Sequence, residues 1–153
     1  MKISKKIVAS VCAAVMVLSL AACGSSGNNG TAQTTAAGGN DGKTYTIGIC
    51  QLVQHPALDA ATQGFRDALT EKLGDSVVFD EQNAANDSAT CSTICSTFVT
   101  NGVDLIMANA TPALQAAASS TADIPIIGTS VTDYAAALDI SDWKGYTEKN
   151  ISG

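Results

Sequence analysis

The sequence of 153 residues contains few aromatic and few basic side chains. Phe, Trp and Tyr make up 5% of it, and 8 Lys and Arg stand against 14 Asp and Glu. Nucleic-acid binding needs a basic surface and often an aromatic stacking platform. The composition therefore disfavours a nucleic-acid partner. A single His is present, and because no zinc-type ligand spacing accompanies it, we predict no metal site.

Sequence motifs of the common α/β enzymes are also missing. The nearest approach to a nucleophile elbow, residues 128–132, lacks the second glycine. No glycine loop for phosphate and no Ser-His-Asp set is evident. We therefore predict no catalytic residue and no cofactor. An enzyme on a similar scaffold, flavin-binding or hydrolytic, is kept as an alternative.

Residues 1–22 have the pattern of a bacterial lipoprotein signal peptide. Three lysines precede an apolar stretch over residues 7–20, which is shorter than the about 20 residues that a membrane-spanning helix needs. Leu-Ala-Ala before Cys23 resembles a lipobox. We expect cleavage after residue 22 and lipidation of Cys23, with an ordinary signal peptide as the alternative.

Residues 23–43 are predicted to be a flexible tether behind the lipid. After Cys23 they include no aliphatic residue larger than Ala, so they cannot bury enough apolar surface to offset the entropy lost on ordering. A lipid and a tether together predict a domain held at the extracytoplasmic face of a bacterial cell membrane.

Residues 44–153 form one predicted α/β domain in which strands and helices alternate. Strands are predicted over 45–50, 77–79, 103–108 and 124–127, and helices over 56–73, from 86 or 87 to 101, and after Thr111 as N-cap with Pro112 first in the helix. This alternation predicts a doubly wound parallel sheet with helices on both faces, a three-layer αβα architecture. A last segment, 150–153, has no helix after it to close another unit.

Three cysteines fall in this domain: Cys50, Cys91 and Cys95. An odd number excludes a complete disulfide framework. Cys91 and Cys95 lie four residues apart on a predicted helix, where they could bridge or share a metal. We favour buried thiols that pack as small apolar residues.

The loops after the strands are the predicted binding region. Right-handed crossovers place all strand-to-helix loops at one edge of a parallel sheet, and ligands bind at that edge. The four loops are rich in amides, hydroxyls and small side chains, and they cover 51–55, 82–86, 109–111 and 129–133. This chemistry favours hydrogen bonding to a small molecule over bond breaking.

With these segments assembled, the sequence resembles the extracytoplasmic solute-binding lipoproteins of ABC importers, most closely the tryptophan and tyrosine branch. The resemblance is carried by segments 47–59, 79–84, 103–106, 110–113, 124–126, 132–133 and 150–153. It implies a periplasmic-binding-protein type I fold, in which two flavodoxin-like lobes close on a ligand. The chain would then be the N-terminal lobe, with the second lobe missing.

The resemblance also implies a ligand and a set of contacts. The ligand would be an amino acid, with tryptophan and tyrosine as candidates, handed to an ABC permease. Its implied contacts are Gln51, His55, Ala110, Thr111, Thr129, Ser130 and Asp133. The helix start at Thr111 suits a carboxylate, and Asp133 suits an ammonium group.

Three of these residues have a purely structural alternative. Thr111 would serve as a helix cap, His55 would cap the first helix or pack under the first loop, and Asp133 would stabilise a turn or cap a following helix. At the level of function, a ligand-sensing lobe of a membrane receptor is a further alternative.

Overall fold

The structure is a computed structural model that describes residues 42–153. The signal peptide, the lipidation site at Cys23 and the tether as far as residue 41 lie outside the described residues. The strands are β1 (Tyr45–Gln51), β2 (Val77–Asn83), β3 (Leu105–Asn109), β4 (Ile126–Thr129) and β5 (Ile151–Ser152). The helices are α1 (Pro56–Leu73), α2 (Ser88–Asn101), α3 (Thr111–Ser120) and α4 (Tyr134–Ala137), and a 3-10 turn (Gly74–Ser76) precedes β2.

The five strands form one sheet in the order β2-β1-β3-β4-β5. All four neighbouring pairs are parallel. The chain steps outward from β1 to β2, returns past β1 to β3, and then continues in one direction to β5. This reversal at β1 is the doubly wound topology, so the predicted α/β fold class is confirmed.

Helices α2, α3 and α4 pack on one face of the sheet and α1 packs on the other. The first face holds the larger core, in which Phe98 of α2 and Leu114 of α3 meet alternate strand residues such as Ile106 and Ile126. The second face holds a smaller core under α1, built on Ile49 and the strand residues next to it. Alternation of side chains along each strand separates the two cores, which gives the predicted three layers.

The three thiols lie in the larger core. Cys50, Cys91 and Cys95 are all fully buried and free, as the sequence analysis favoured. Phe98 follows Cys91 and Cys95 on the buried stripe of α2, and a Cβ at Gly48 would lie 2.7 Å from its ring. Glycine at position 48 therefore lets the aromatic ring contact the β1 backbone.

On the other face, α1 is only partly buried. Thr62 is its one buried residue, whereas Phe65, Leu69 and Leu73 are half-buried against the sheet. Beside them an open apolar groove of about 530 Å³ extends along the sheet to Ile127. Within residues 42–153, no helix is long and apolar enough to cross a membrane.

Several predicted boundaries were wrong. β3 begins at Leu105 because the Asp104 carboxylate accepts the Thr46 N–H at 2.9 Å. β4 begins after Pro125, which has no N–H for the ladder. β2 extends to Asn83 because β1 pairs with it along its whole length. The sequence also predicted four strands, whereas residues 151–152 form a fifth.

Candidate functional site

The carboxyl ends of the strands are joined by backbone hydrogen bonds into one edge. The Leu52 N–H donates to the Asn109 carbonyl at 3.2 Å, and the Ala110 N–H donates to the Thr129 carbonyl at 2.9 Å. The Ala84 N–H donates to the Gln51 carbonyl at 2.9 Å. The structure thus brings all four predicted loops to the same edge of the sheet.

His55 ends the first loop and begins α1. Its Nδ1 accepts the Ala57 N–H at 3.2 Å, so the imidazole is the N-cap of the helix. Pro56 at the first helical position needs no partner for an N–H. The ring is exposed, and its second nitrogen takes no part in the cap. The structural alternative for His55 is therefore present, with one ring nitrogen left over for a ligand.

Gln51 lies at the end of β1, but its side chain points away from solvent. It is 4% exposed. Its Nε2 donates to Asp59 Oδ1 at 2.6 Å and to the Val53 carbonyl at 3.0 Å. Its Oε1 accepts the Thr62 hydroxyl at 2.6 Å. Protein groups engage both ends of this amide.

Asn109 continues the same hydrogen-bonded chain from β3. Its Nδ2 donates to the Leu58 carbonyl at 2.8 Å and to Thr62 Oγ1 at 3.0 Å, and it lies 3.5 Å from Gln51 Oε1. We call Gln51, Asp59, Thr62 and Asn109 the edge network. It joins the ends of β1 and β3 to the first turns of α1.

The direction of hydrogen bonding in the edge network follows from Asp59. A carboxylate only accepts hydrogen bonds, so Gln51 must present its NH₂ to Asp59 and its oxygen to Thr62. The Thr62 hydroxyl then donates to Gln51 and accepts from the Asn109 NH₂. Only one orientation of each side-chain amide pairs every donor of the network with an acceptor. The orientations of the Gln51 and Asn109 amides are therefore determined.

Two unfavourable features lie side by side at the end of β3. Asn109 Oδ1 is buried and has no hydrogen-bond partner within residues 42–153, which costs about 1–3 kcal/mol. Ala110 has φ +94° and ψ 158°, a region that is nearly restricted to glycine and costs about 1–3 kcal/mol. Costs of this kind cluster at functional sites.

Helix α3 begins at this edge without a side-chain cap. Its N-cap is the strained Ala110, and Thr111 occupies the first helical position. The prediction of Thr111 as N-cap was wrong. The unusual backbone conformation of Ala110 makes Ala110 the N-cap, so the helix begins one residue earlier than predicted. The first helical bond runs from the Leu114 N–H to the Ala110 carbonyl. The N–H groups of Thr111 and Ala113 precede that bond and point out of the helix end.

The last loop supplies hydroxyls and a carboxylate. Thr129 is half-buried at the end of β4, and the exposed Ser130 has φ +56°. Asp133 is the N-cap of α4, with Oδ1 accepting the Ala136 N–H at 3.1 Å. Its carboxylate therefore has the capping role that the structural alternative predicted, at an exposed position on the same edge of the sheet.

The thiols contribute no nucleophile to this edge. Cys50 neighbours Gln51 in sequence, but its side chain lies in the larger core on the opposite face. A hydrogen bond to Cys95, together with burial, raises the pKa of Cys50. Burial raises the pKa of Cys91 to about 12. Within residues 42–153, no group of three or more His, Cys, Asp or Glu is arranged to hold a metal ion.

The network roles of Asp59, Thr62 and Asn109 were not predicted from the sequence. A signal for Thr62 was present, since it falls on the stripe of α1 that Leu58 and Phe65 form and a hydroxyl at a core-facing position needs a partner. Asn109, the polar end of an otherwise apolar strand, was placed in a ligand loop. Nothing in the sequence indicated that these side chains meet Gln51.

The described part of the chain matches a known protein family over almost all of its length. The family model described as ABC transporter substrate binding protein matches residues 46–153. A curated tyrosine-binding protein of Clostridioides difficile is 46% identical over 134 residues, which cover 85% of this chain and 39% of that protein.

This chain is also similar to solved structures. A ligand-free, open substrate-binding protein with adhesive properties from Clostridium difficile has a TM-score of 0.66 and 44% identity, covering 72% of this chain and 38% of that one. An ABC domain in complex with L-Trp from Streptococcus pneumoniae has a TM-score of 0.66 and 36% identity, with the same coverage. The chain spans about two-fifths of the length of these relatives.

Proposed function

This chain belongs to the family of ABC transporter substrate-binding proteins, and we propose that it captures an amino acid for delivery to an ABC permease. The observation that carries the ligand class is the uncapped start of α3. The N–H groups of Thr111 and Ala113 face the edge, and no side chain caps the helix. Such a helix end attracts a carboxylate through its dipole and its unpaired donors.

The candidate ligands are tyrosine and tryptophan. One relative is a tyrosine-binding protein and another is in complex with L-Trp, and this supports an aromatic amino acid here. The family model is described as a substrate binding protein and the first relative is named as a binding protein, which supports a non-enzymatic function. The ligand would be held by hydrogen bonds and charge, without bond breaking.

We assign the contacts by chemistry. The carboxylate of the ligand accepts from the N–H groups at Thr111, and Ala110 brings the backbone close. Asp133 pairs with the ammonium group through a charge-assisted hydrogen bond. Thr129 and Ser130 offer hydroxyls beside it. His55 contacts the ligand through the ring nitrogen that the helix cap does not use.

Gln51 acts differently in this scheme. Asp59, Val53 and Thr62 form hydrogen bonds with both ends of its amide. Gln51 therefore holds the first loop in place from the buried side. A direct contact with the ligand would require it to give up one of those bonds.

In the cell, we propose a lipid anchor at Cys23 and a position at the extracytoplasmic face of the membrane. The Leu-Ala-Ala-Cys pattern supports this. In the full-length protein, a second lobe would close over the edge described above, with a hinge between the lobes. Metabolic labelling with a palmitate analogue, with Cys23→Ser as the control, tests the anchor. Equal labelling of both proteins would contradict it.

Ligand binding is tested by calorimetric titration of the full-length protein with L-tyrosine, L-tryptophan and a sugar panel. We expect Asp133→Asn to weaken amino-acid binding about tenfold or more, because it removes a charge-assisted bond and keeps a capping oxygen. Asp87→Asn is the matched control, since Asp87 caps α2 in the same way. We expect Asp87→Asn to change the affinity less than about twofold, because an exposed surface charge contributes little free energy. A response to sugars alone would overturn the amino-acid assignment.

A further inference from the structure

We propose that Thr62, Gln51 and Asn109 are positioning residues that hold the first loop and the Ala110 turn in one fixed arrangement. Their role in ligand affinity rests on the proposed function. Their role in fixing the loops does not, because it concerns the contacts of the chain with itself.

The first reason is the way α1 is attached to the sheet. Thr62 is its one buried residue, and the apolar residues of α1 farther along are half-buried beside an open groove. At the end of α1 that follows the first loop, the attachment is therefore polar. Thr62 reaches Gln51 at 2.6 Å and Asn109 at 3.0 Å.

The second reason is the position of the two amides in the ladder. Gln51 and Asn109 are direct register partners at the ends of β1 and β3. Each is followed at once by residues of a predicted ligand loop. Leu52 then bonds back to Asn109, and Ala110 bonds to Thr129. These two bonds join backbone groups, so the side-chain amides, which start from the same two residues, hold the part of the backbone from which both loops begin.

The third reason is the adjacent strain. Ala110 adopts a conformation that alanine rarely holds, and such a conformation persists only where its surroundings fix it. The Asn109 side chain, with 0% exposure and its NH₂ anchored to α1, is the neighbour that fixes it. Hydrogen bonds suit this task because their length and direction are specific, whereas apolar contacts allow sliding.

The experiment uses Thr62→Val, which keeps the size of the side chain and removes the hydroxyl. Thr62→Ser restores the hydroxyl, and Thr70→Val makes the same substitution at an exposed position on α1. Hydrogen exchange of individual amides is measured by NMR in the full-length protein without ligand. We expect Thr62→Val to speed exchange at Leu52 and Ala110 about tenfold, the equivalent of one net hydrogen bond. Thr62→Ser should recover most of the protection, and Thr70→Val should match the wild type.

A second variant covers the case in which Thr62→Val does not fold. Asp59→Ala removes the exposed end of the network, and Asp67→Ala, which removes the acceptor of the exposed Gln63 bond, is its control. We expect the same two amides to exchange faster in Asp59→Ala alone. Faster exchange confined to α1, or no recovery in Thr62→Ser, would overturn the proposal.

Titration with L-tyrosine and L-tryptophan separates this inference from the proposed function. If the wild type binds either amino acid, Thr62→Val should weaken binding about tenfold and Thr62→Ser should not. Unchanged affinity with faster exchange would overturn the link to binding. If the wild type binds neither, the proposed function fails, and the exchange measurements still decide whether the network positions the loops.

Discussion

The two faces of the sheet are built from different chemistry. The face under α2 and α3 is apolar and closed, with Phe98, Ile106 and Leu114 fully buried. The face under α1 has a small apolar core in the middle, an open groove at one end, and the polar edge network at the other. The apolar face provides packing, whereas the α1 face provides defined positions next to the candidate site.

This difference shows how one small domain can be both stable and accurately shaped. Burial of apolar surface stabilises the fold without fixing direction, so it can be concentrated away from the ligand. Hydrogen bonds add little net stability but fix geometry, so they are useful at the edge. If stability and positioning are divided between the faces in this way, substitutions on the two faces should have different effects.

The largest expected effect is the loss of the central aromatic ring. Phe98→Ala should lower the free energy of unfolding by about 3–5 kcal/mol, because it removes a fully buried ring and leaves a cavity. Phe65→Ala on α1 is the control and should cost about 1 kcal/mol, because its ring is already partly in water. Urea denaturation measures both. Equal losses would mean that the two faces stabilise the fold equally.

Replacing two glycines with alanine should change the free energy of unfolding in opposite directions. Gly48→Ala should destabilise the fold by about 1–3 kcal/mol, because its Cβ would lie 2.7 Å from the Phe98 ring. Gly64→Ala on α1 meets nothing within 4 Å and should stabilise by about 0.5–1 kcal/mol, as in an ordinary helix interior. The double variant Gly48→Ala with Phe98→Leu should lose less than the sum of the single changes. A strictly additive result would argue against the ring contact.

The smallest effect at neutral pH concerns the buried thiols. In the folded protein, burial raises the pKa of Cys91 to about 12, from its ordinary value of 9.0. The unfolded chain therefore releases protons first as pH rises, so stability should be constant below pH 9 and fall above it. Thermal unfolding from pH 7 to 10.5 measures this slope, and Cys91→Ala should reduce it.

The same burial predicts low reactivity of these thiols. At pH 8, iodoacetamide should leave Cys50, Cys91 and Cys95 unmodified in the folded protein and modify all three in guanidinium chloride. Mass spectrometry of the alkylated peptides distinguishes them. Rapid modification of Cys91 in the folded protein would show that α2 opens easily, contrary to a closed apolar face.

Much of the fold was predictable because its signals are local. Pro56 and the apolar repeat gave α1 the bounds that the structure has, and Asp87 was a candidate cap of α2 because an acidic side chain can bind the free N–H groups of a helix start. The apolar runs identified the inner strands. Each of these signals depends on neighbours within a few residues, which the sequence displays directly.

The strand ends and the fifth strand were less predictable. Asp104 shortens β3 by bonding to Thr46, which is 58 residues away. The strand at 151–152 exists because β4 offers it a partner and Asn150 bonds to the Ile124 carbonyl at 2.6 Å. Two residues carry too little pattern of their own to indicate a strand.

The sequence by itself determined the order of strands and helices, the apolar face of α2, and the loops that meet at one edge. Those features follow from side-chain periodicity and from the handedness of crossovers. The tertiary structure alone decided that Gln51 points inward, that Thr62 and Asn109 meet it, and that Ala110 is strained. These are pairings between side chains far apart in the chain, and a hydrogen bond depends on distance and angle in space, which the sequence does not contain.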